Sequence, residues 1–408
     1  MVKFIHAADL HLDSPFNGLH AMPERFLKKV RHSTFDAMER LTEAAINRQV
    51  DFVVLSGDIY DYEDRSIKAQ SFFRHQMEKL NACSIPVYLI HGNHDYITEN
   101  AVQLNMPENV KIFDVTPETV VLQTKTGEKV FLTGFSYGQK WVKNRMIEKY
   151  PTRRPEADFH IGLLHGFFEG GTDQHAQYAP FTVGELKSKG YDYWALGHIH
   201  KRQCLSESPL IFYSGNIQGR NKKETGEKGF LLVELTDSGN QVEFIPASKI
   251  QWENISINAS TVDTLDGVYQ LVEKKIRILS ALDTNLVVTF TVTLPSNIDE
   301  NLLRKLLKGE LLAAFQQEKD DSPFIWVNDI RYLMKDEEKR HSIASAFEEE
   351  WEQSLEEMKN EKVLSSVLED FYRNASVSGV LPLQEDEYRE EILQEAIRII
   401  HSAVGGEE

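Results

Sequence analysis

Apolar residues in this chain fall into two alternating patterns. Short runs that are apolar apart from His6 and Gly162 occur at Phe4–Ala8, Phe52–Leu55, Val87–Ile90, Ile161–Leu164 and Trp194–Leu196. Runs this short and nearly continuous read as strands buried on both faces. Between the first three lie longer segments with helical spacing. Glu24–Arg48 places Phe26, Leu27, Val30, Phe35, Met38, Leu41, Ala45 and Ile46 at intervals of about three to four, and Ser66–Leu80 does the same with Phe72, Phe73, Met77 and Leu80. Strand, helix, strand in succession predicts βαβ units and a partly parallel sheet. Further strands are predicted at Lys129–Phe135, Leu210–Tyr213, Gly229–Leu235 and Val242–Pro246, enough for a second sheet. The pattern changes near residue 250. Ile255–Asn258, Leu265–Leu279, Asn285–Leu294, Glu300–Gln317 and Phe324–Met334 alternate strand, helix, strand, helix, strand, as in a small α/β module.

Polar residues cluster where the first five strands end. In chain order these ends carry Asp9-Leu10-His11, Gly57-Asp58-Ile59-Tyr60-Asp61, Gly92-Asn93-His94-Asp95, His165-Gly166 and Gly197-His198-Ile199-His200. Ligands of an open α/β sheet bind at the carboxyl ends of its strands. Five such ends bring carboxylates, one amide and several imidazoles to one rim. That mixture of oxygen and nitrogen donors suits manganese, iron or zinc. There are too many donors for one ion, and Asp58 is placed to bridge two. Two metals about 3.5–4 Å apart form a clamp for in-line displacement at phosphorus. A lone Asp-x-His is weak evidence, and Asn-His-Asp alone is compatible with a turn. The weight comes from all five occurring in order, each after a strand.

With these residues in place, the chain resembles the calcineurin-like metallophosphoesterases, whose pattern is D-x-H, G-D-x-x-D, G-N-H-D, H-G, G-H-x-H. The spacing, and Tyr213-Ser214-Gly215-Asn216 after the last motif, are more similar to the SbcD-type DNA repair nucleases. Within these, Tyr213–Arg220 and His6–Leu19 resemble the branch labelled YhaO. The resemblance covers the first 250 residues well and the rest loosely. It is more specific for the metal site than for the substrate.

The resemblance implies a four-layer α/β/β/α sandwich over residues 1–250 and a capping role for the small α/β domain over 251–340, while residues 341–408 read by themselves as an acidic helical segment. The resemblance assigns one metal to Asp9, His11, Asp58 and His200, and a second to Asp58, Asn93, His165 and His198. His94 is not a ligand in that scheme. It faces the scissile phosphate and helps protonate the leaving oxygen, a role suited to an imidazole. Asp61 is expected to orient His94. Some nuclease relatives carry His at the Asp61 position, so a direct substrate-handling role there is open for this chain. Of the other histidines, His6 and His160 are expected in the core, His91 at an ordinary structural position with a place beside the ligands as the alternative, His20, His32, His75, His341 and His401 at ordinary surface or helix positions, and His175 in a polar loop, 170–179, that covers the metals or lies in solvent.

The chain has 408 residues, 41% of them hydrophobic, which is ample for two or three domains. No apolar run reaches the roughly 18 residues of a membrane helix. The N-terminus enters a strand without a signal-peptide pattern. Cys83 and Cys204 suggest no disulfide framework, so a cytoplasmic setting is expected.

The net charge of −18 is uneven. Residues 341–408 hold 17 Asp or Glu against 5 Lys or Arg, which leaves −6 for residues 1–340. Phe347, Trp351, Leu355 and Met358 form one helical face in this segment, continued by Leu364, Val367, Leu368 and Phe371. Ile392, Leu393, Ala396, Ile397 and Ile400 form another. SbcD-type nucleases work with a coiled-coil ATPase of the SbcC type, bound through C-terminal helices, and these faces are the expected docking arm. No Gly-x-x-x-x-Gly-Lys-Ser/Thr loop is present, so any nucleotide-driven motor must lie on another chain.

DNA is the expected substrate, with phosphate contacts from Lys140, Lys143, Arg145, Arg153, Arg154 and Arg220. Trp141 and Tyr150, amid the first cluster, could stack unpaired bases. A homodimer is expected through the helices at 24–48 and 66–80, whose apolar positions exceed one buried stripe. The reading is a Mn²⁺-dependent DNA phosphodiesterase, an exonuclease or single-strand endonuclease. The alternatives are a phosphodiesterase or phosphatase for small nucleotides, with the same site under a closed cap, and a non-catalytic scaffold that recruits an ATPase. The complete ligand set argues against the scaffold.

Overall fold

The computed structural model describes residues 1–16, 19, 22–61, 65–98, 102–170, 178–316 and 323–335. The acidic segment 341–408, most of the loop around His175, and His20, His341 and His401 lie outside the described residues. The elements, in chain order, are β1 (Val2–Ala7), α1 (Glu24–Asn47), β2 (Phe52–Ser56), α2 (Ile67–Ala82), β3 (Val87–Ile90), β4 (Val110–Ile112), β5 (Glu118–Gln123), β6 (Lys129–Gly134), β7 (Phe159–His165), α3 (Val183–Ser188), β8 (Tyr193–Gly197), β9 (Gln203–Glu207), β10 (Leu210–Tyr213), β11 (Gly229–Leu235) and β12 (Gln241–Pro246). There follow β13 (Ile250–Asn258), α4 (Leu265–Leu279), β14 (Asn285–Leu294), α5 (Glu300–Leu307), α6 (Glu310–Phe315) and β15 (Ile325–Met334).

Two six-stranded sheets run in the orders β12-β11-β1-β2-β3-β4 and β5-β6-β7-β8-β10-β9. In the first, β1 to β4 are parallel and β11 returns antiparallel beside β1. In the second, β6, β7, β8 and β10 are parallel between antiparallel edges. The short apolar runs have the reason anticipated for them, because every residue of β2, β3, β7 and β8 is buried. One face of the first sheet packs Ile5, Val53, Leu55 and Leu89 against Phe35, Met38, Leu41, Phe73 and Met77 of α1 and α2. Its other face meets the second sheet through Phe4, Phe52, Val54 and Ile90 against Val130, Leu132, Ile161, Leu163 and Tyr193. The far side of the second sheet packs Leu164, Trp194 and Leu196 on Leu186 of α3 and on Met146 and Ile147. This is the α/β/β/α sandwich.

Register places the site. Ala7 pairs with Leu55, Ser56 with Ile90 and His165 with Gly197, so the carboxyl ends of the strands finish nearly level. The two sheets are tied at that rim. Ser56 Oγ donates to Ala195 O at 2.9 Å, and His165 Nδ1 lies 3.0 Å from Ser56 O.

The chain divides into two compact units. Among the described residues, one comprises Met1–Ile257, Tyr269–Thr291 and Arg304–Arg331, and the other Asn258–Val268, Val292–Leu303 and 332–335. Within the first unit, Phe16, Met22, Phe26 and Val30 share a core with Trp252, Val287, Phe324 and Trp326, and Phe26 stacks on Phe324 with ring centroids 4.5 Å apart. This core also accounts for part of the apolar surplus on α1. Phe72, half-buried on α2, sits edge-on to Phe35 of α1 at 4.7 Å, so it too has a partner within the chain.

Other departures from expectation are local. The helix anticipated over Glu300–Gln317 is two helices, broken at Gly309, whose φ of 77° ends helical continuation. Three short strands, β4, β5 and β9, fall outside the anticipated runs; each is an edge strand with no fully buried residue. Cys83 and Cys204 are free and exposed. Among the described residues, no helix is long and apolar enough to cross a membrane.

Candidate metal centre

The loops that leave β1, β2 and β8 turn sharply. Asp9, His11, Asp58 and His198 adopt left-handed φ values of 51°, 42°, 50° and 99°. For non-glycine residues this conformation costs about 1–3 kcal/mol each and persists only where surroundings enforce it. The surroundings do so here. Asp9 N donates to Gly57 O at 3.0 Å, His11 N to Asp58 O at 3.0 Å and Leu12 N to Ile59 O at 2.9 Å, zipping the first two loops together. His198 N donates to both oxygens of Asp9, at 3.0 and 3.2 Å, which latches the loop after β8 onto the same strut.

Glycines keep the rim tight. A Cβ on Gly57, itself at φ 95°, falls 2.4 Å from His165 Nδ1. One on Gly92 falls 2.3 Å from Asp58 Oδ1 and 2.8 Å from His165 Nε2, and one on Gly197 falls 2.0 Å from Ser56 O. The glycine of each motif is a packing requirement at these positions.

The side chains converge as three linked groups. Asp9, His11 and His200 bring ligand atoms within 4.8 Å of one another, as do Asp9, Asp58 and His165, and likewise His11, Asp61 and His94. His11 Nε2 faces His200 Nε2 at 3.1 Å, His165 Nε2 lies 3.5 Å from Asp58 Oδ2, and Asn93 Oδ1 is 3.0 Å from His165 Nε2. Asp9, His11, Asp58, Asn93 and His165 are buried, while His200 is partly open to solvent. His198 borders the group, with its ring 5.3 Å from that of His165. Burial pushes the Asp9 carboxyl up. Burial also works against ionised Asp58, yet the imidazoles of His165, His94 and His11 hold it below the usual carboxylate range.

Two facing imidazole nitrogens and two desolvated carboxylates form a donor set that cations would satisfy. The set therefore fits the two-metal centre that the motifs imply.

His94 is half-buried beside this group. Its main-chain N–H donates to Asp58 Oδ1 at 3.0 Å, and its ring stands edge-on to His11 with centroids 4.9 Å apart. Its Nδ1 lies 2.8 Å from the main-chain carbonyl of Asp61, not from the carboxylate expected to orient it. The Asp61 carboxylate instead lies 3.0 Å from His11 Nδ1 and pairs with Arg220. The long guanidinium reaches it from the chain that follows β10.

Arg220 and Glu224 extend this bracing. Glu224 Oε1 is 2.8 Å from His200 Nδ1 and 3.4 Å from the Arg220 guanidinium, and Glu224 Oε2 accepts from Arg220 N and Asn216 Nδ2, each at 2.7 Å. Burial alone would raise the Glu224 carboxyl, but Arg220 and His200 hold it well below its ordinary value. Burial lowers His200, and Glu224 more than offsets this, raising it overall. The sequence reading missed Glu224. A signal was present in the spacing of four from Arg220 to Glu224, just after Asn216. Asp95, the last residue of its motif, is a second missed brace. It accepts from Ile59 N at 2.9 Å and Gly92 N at 2.7 Å and pairs with His91 Nδ1 at 3.0 Å. His91 therefore supports the loop through Asp95. His6 and His160 are core residues as expected, bonded to Tyr193 Oη and Thr133 Oγ1 at 2.9 and 2.8 Å.

The cations singled out for DNA divide into two sets. Arg145 is held by Glu185 at 3.0 and 2.5 Å and by Glu169 at 2.6 Å, Arg153 by Asp192 at 3.3 Å, and Arg220 by Asp61 and Glu224. Lys140, Lys143 and Arg154 are exposed. Of the two aromatics beside them, Tyr150 is a core residue, donating to Leu163 O at 2.6 Å, whereas Trp141 is exposed.

Comparison with known proteins places these features in context. A family model described as calcineurin-like phosphoesterase matches residues 2–202. A Bacillus subtilis (strain 168) protein called uncharacterized metallophosphoesterase YhaO is 39% identical over 330 residues, 80% of each chain. The DNA double-strand break repair protein Mre11 of Methanocaldococcus jannaschii is 26% identical over 263 residues, 62% of this chain and 67% of its own. The SbcD component of the SbcCD nuclease of Staphylococcus saprophyticus is 26% identical over 276 residues, 61% of this chain and 70% of its own.

Proposed function

The chain belongs to the calcineurin-like phosphoesterase family, and from that premise we propose that it is a two-metal phosphodiesterase that cleaves DNA during repair or processing. One observation carries the reading: buried Asp9 and Asp58 converge with His11, His165, His200 and Asn93 on the rim shared by the two sheets. In this reading Asp9, His11, Asp58 and His200 hold one ion, and Asp58, Asn93, His165 and His198 hold the other. Divalent ions of the manganese, iron or zinc kind would supply water activation and neutralise charge on the phosphoryl oxygens.

The side chains supply the rest. His94, braced at Nδ1 by the Asp61 carbonyl, presents Nε2 to the scissile phosphate and gives a proton to the departing oxygen. Asp61 and Glu224 steady the rings of His11 and His200, and Arg220 joins the two carboxylates. Two relatives carry names tied to DNA repair or nuclease action, and they support DNA as substrate. An SbcC-like coiled-coil ATPase is the proposed partner, docking on the acidic segment 341–408.

A second reading, hydrolysis of small nucleotides or other phosphoesters at the same site, is favoured by one observation. Arg145, Arg153 and Arg220 are engaged by carboxylates of the chain itself. Assays of the purified chain with Mn²⁺ on single-stranded DNA and on bis-p-nitrophenyl phosphate separate the readings. Hydrolysis of both, abolished by EDTA, is expected. Turnover of the small diester alone would favour the second reading, and turnover of neither would remove the enzymatic one.

A further inference from the structure

Beside the rim, two aromatic rings lie outside the roles assigned so far. Trp141 is 52% exposed, a large apolar surface to leave in water. Tyr178 covers one side of it, with ring centroids 5.2 Å apart and planes only 15° from parallel. Tyr178 in turn stands edge-on to His198 at 5.1 Å, and His198 neighbours His165 at 5.3 Å. A file of rings thus runs from the exposed indole to the buried carboxylates.

The file is pinned by main chain on both sides. Ala179 N donates to Val142 O at 2.6 Å, joining the residue after Tyr178 to the residue after Trp141. Phe167 N donates to Tyr178 O at 2.7 Å, tying the segment to the loop that leaves β7 two residues past His165. Val142 itself is buried in the core on the far side of the second sheet, so the exposed indole stands on an anchored base. The cations nearby in sequence, Lys140 and Lys143, are exposed.

We propose that Trp141 and Tyr178 form a nucleobase-stacking subsite on the rim of the metal centre, which holds an unpaired base of a strand whose phosphate reaches the metals. The proposal rests on the phosphodiesterase reading and deepens it, because it selects a base-bearing substrate over a bare phosphodiester. Flat aromatic faces beside cations bind single strands by stacking, which tolerates any base because every base offers a π face. A Trp at a protein interface would be exposed in the same way. Two ring contacts from Trp141 to a proposed metal ligand favour substrate over a partner protein.

Binding tests the subsite apart from catalysis. The full chain carrying His94→Ala, with Mn²⁺, is titrated with a fluorescent oligothymidylate and with an abasic strand of equal length, with and without Trp141→Ala or Trp141→Phe. Trp141→Ala should weaken oligothymidylate binding roughly 5- to 100-fold. It should leave the abasic strand unchanged, and Trp141→Phe should restore most of the loss. Equal weakening of both strands, no weakening of either, or no binding of oligothymidylate by the parent would overturn the subsite. The last two results would leave Trp141 to a protein partner. Base-dependent binding by a chain that cleaves no DNA would instead uphold the subsite and remove the nuclease reading.

Discussion

The two halves of the metal centre are held by different means. On the His165 side the bracing is main chain and close packing. Ser56 O fixes the ring nitrogen, Tyr137 Oη donates to His165 O at 2.8 Å, and Gly57, Gly92 and Gly197 leave no room for a Cβ. On the His11–His200 side the bracing is charge. Asp61, Arg220 and Glu224 form a chain of ion pairs behind the two rings, and His200 keeps 27% of its side chain exposed. A post held by backbone is fixed once the sheets form. A post held by charged side chains depends on residues far along the chain and is open to tuning by one substitution. The first half should therefore respond to added volume and the second to removed charge.

The largest effect is expected on the packed half. Gly92→Ala drives a methyl into Asp58 and His165, so metal content should fall below one ion per chain and hydrolysis below detection. Full metal content by elemental analysis would show that the packing yields. His94→Ala comes next. It removes a proton donor but no proposed ligand, so turnover of a small diester should fall by about 10²–10⁴-fold with both ions retained. Loss of an ion in this variant would make His94 a ligand.

Glu224→Gln probes the charged half and should act more gently. Losing the carboxylate behind His200 should weaken one metal site by about 10- to 100-fold in calorimetric titration and leave the other unchanged. Equal weakening at both sites would merge the two halves into one. Removal of 341–408 should have the smallest effect on the site. Metal content and small-diester hydrolysis should stay within a factor of about two, because every proposed ligand precedes residue 201, while binding to an SbcC-like ATPase should be lost. A truncated chain that still copurifies with the ATPase would place the docking elsewhere.

The difference between the halves also explains what can be read from sequence. Strand ends announce themselves, because an apolar run followed by Gly-Asp or Gly-Asn-His-Asp is local in the chain, and the sandwich follows from the same runs. Contacts that need the chain to return are not local. Asp61, three residues past the bridge, reads as a partner of His94, which lies beside the amide ligand in another motif, yet the Asp61 carboxylate is taken by Arg220, 159 residues later. Arg145 and Arg153 read as free cations because their partners, Glu169, Glu185 and Asp192, lie in other segments. Tyr178 carries no signal at all, since only the fold stacks it on Trp141. The break at Gly309 is visible as a glycine, but the helical spacing on either side masks it.

Asp58 belongs to both halves. It lies 3.5 Å from His165 Nε2 and 3.9 Å from His11 Nε2, and it accepts from His94 N. The central claim is that this one carboxylate is shared by two ions. Metal content of the purified chain and of Asp58→Ala, measured after equilibration with Mn²⁺ and removal of free metal, tests it directly. Two ions per chain, falling to none in the variant, is the predicted result. A parent chain that binds only one ion, or a variant that keeps two, would contradict it.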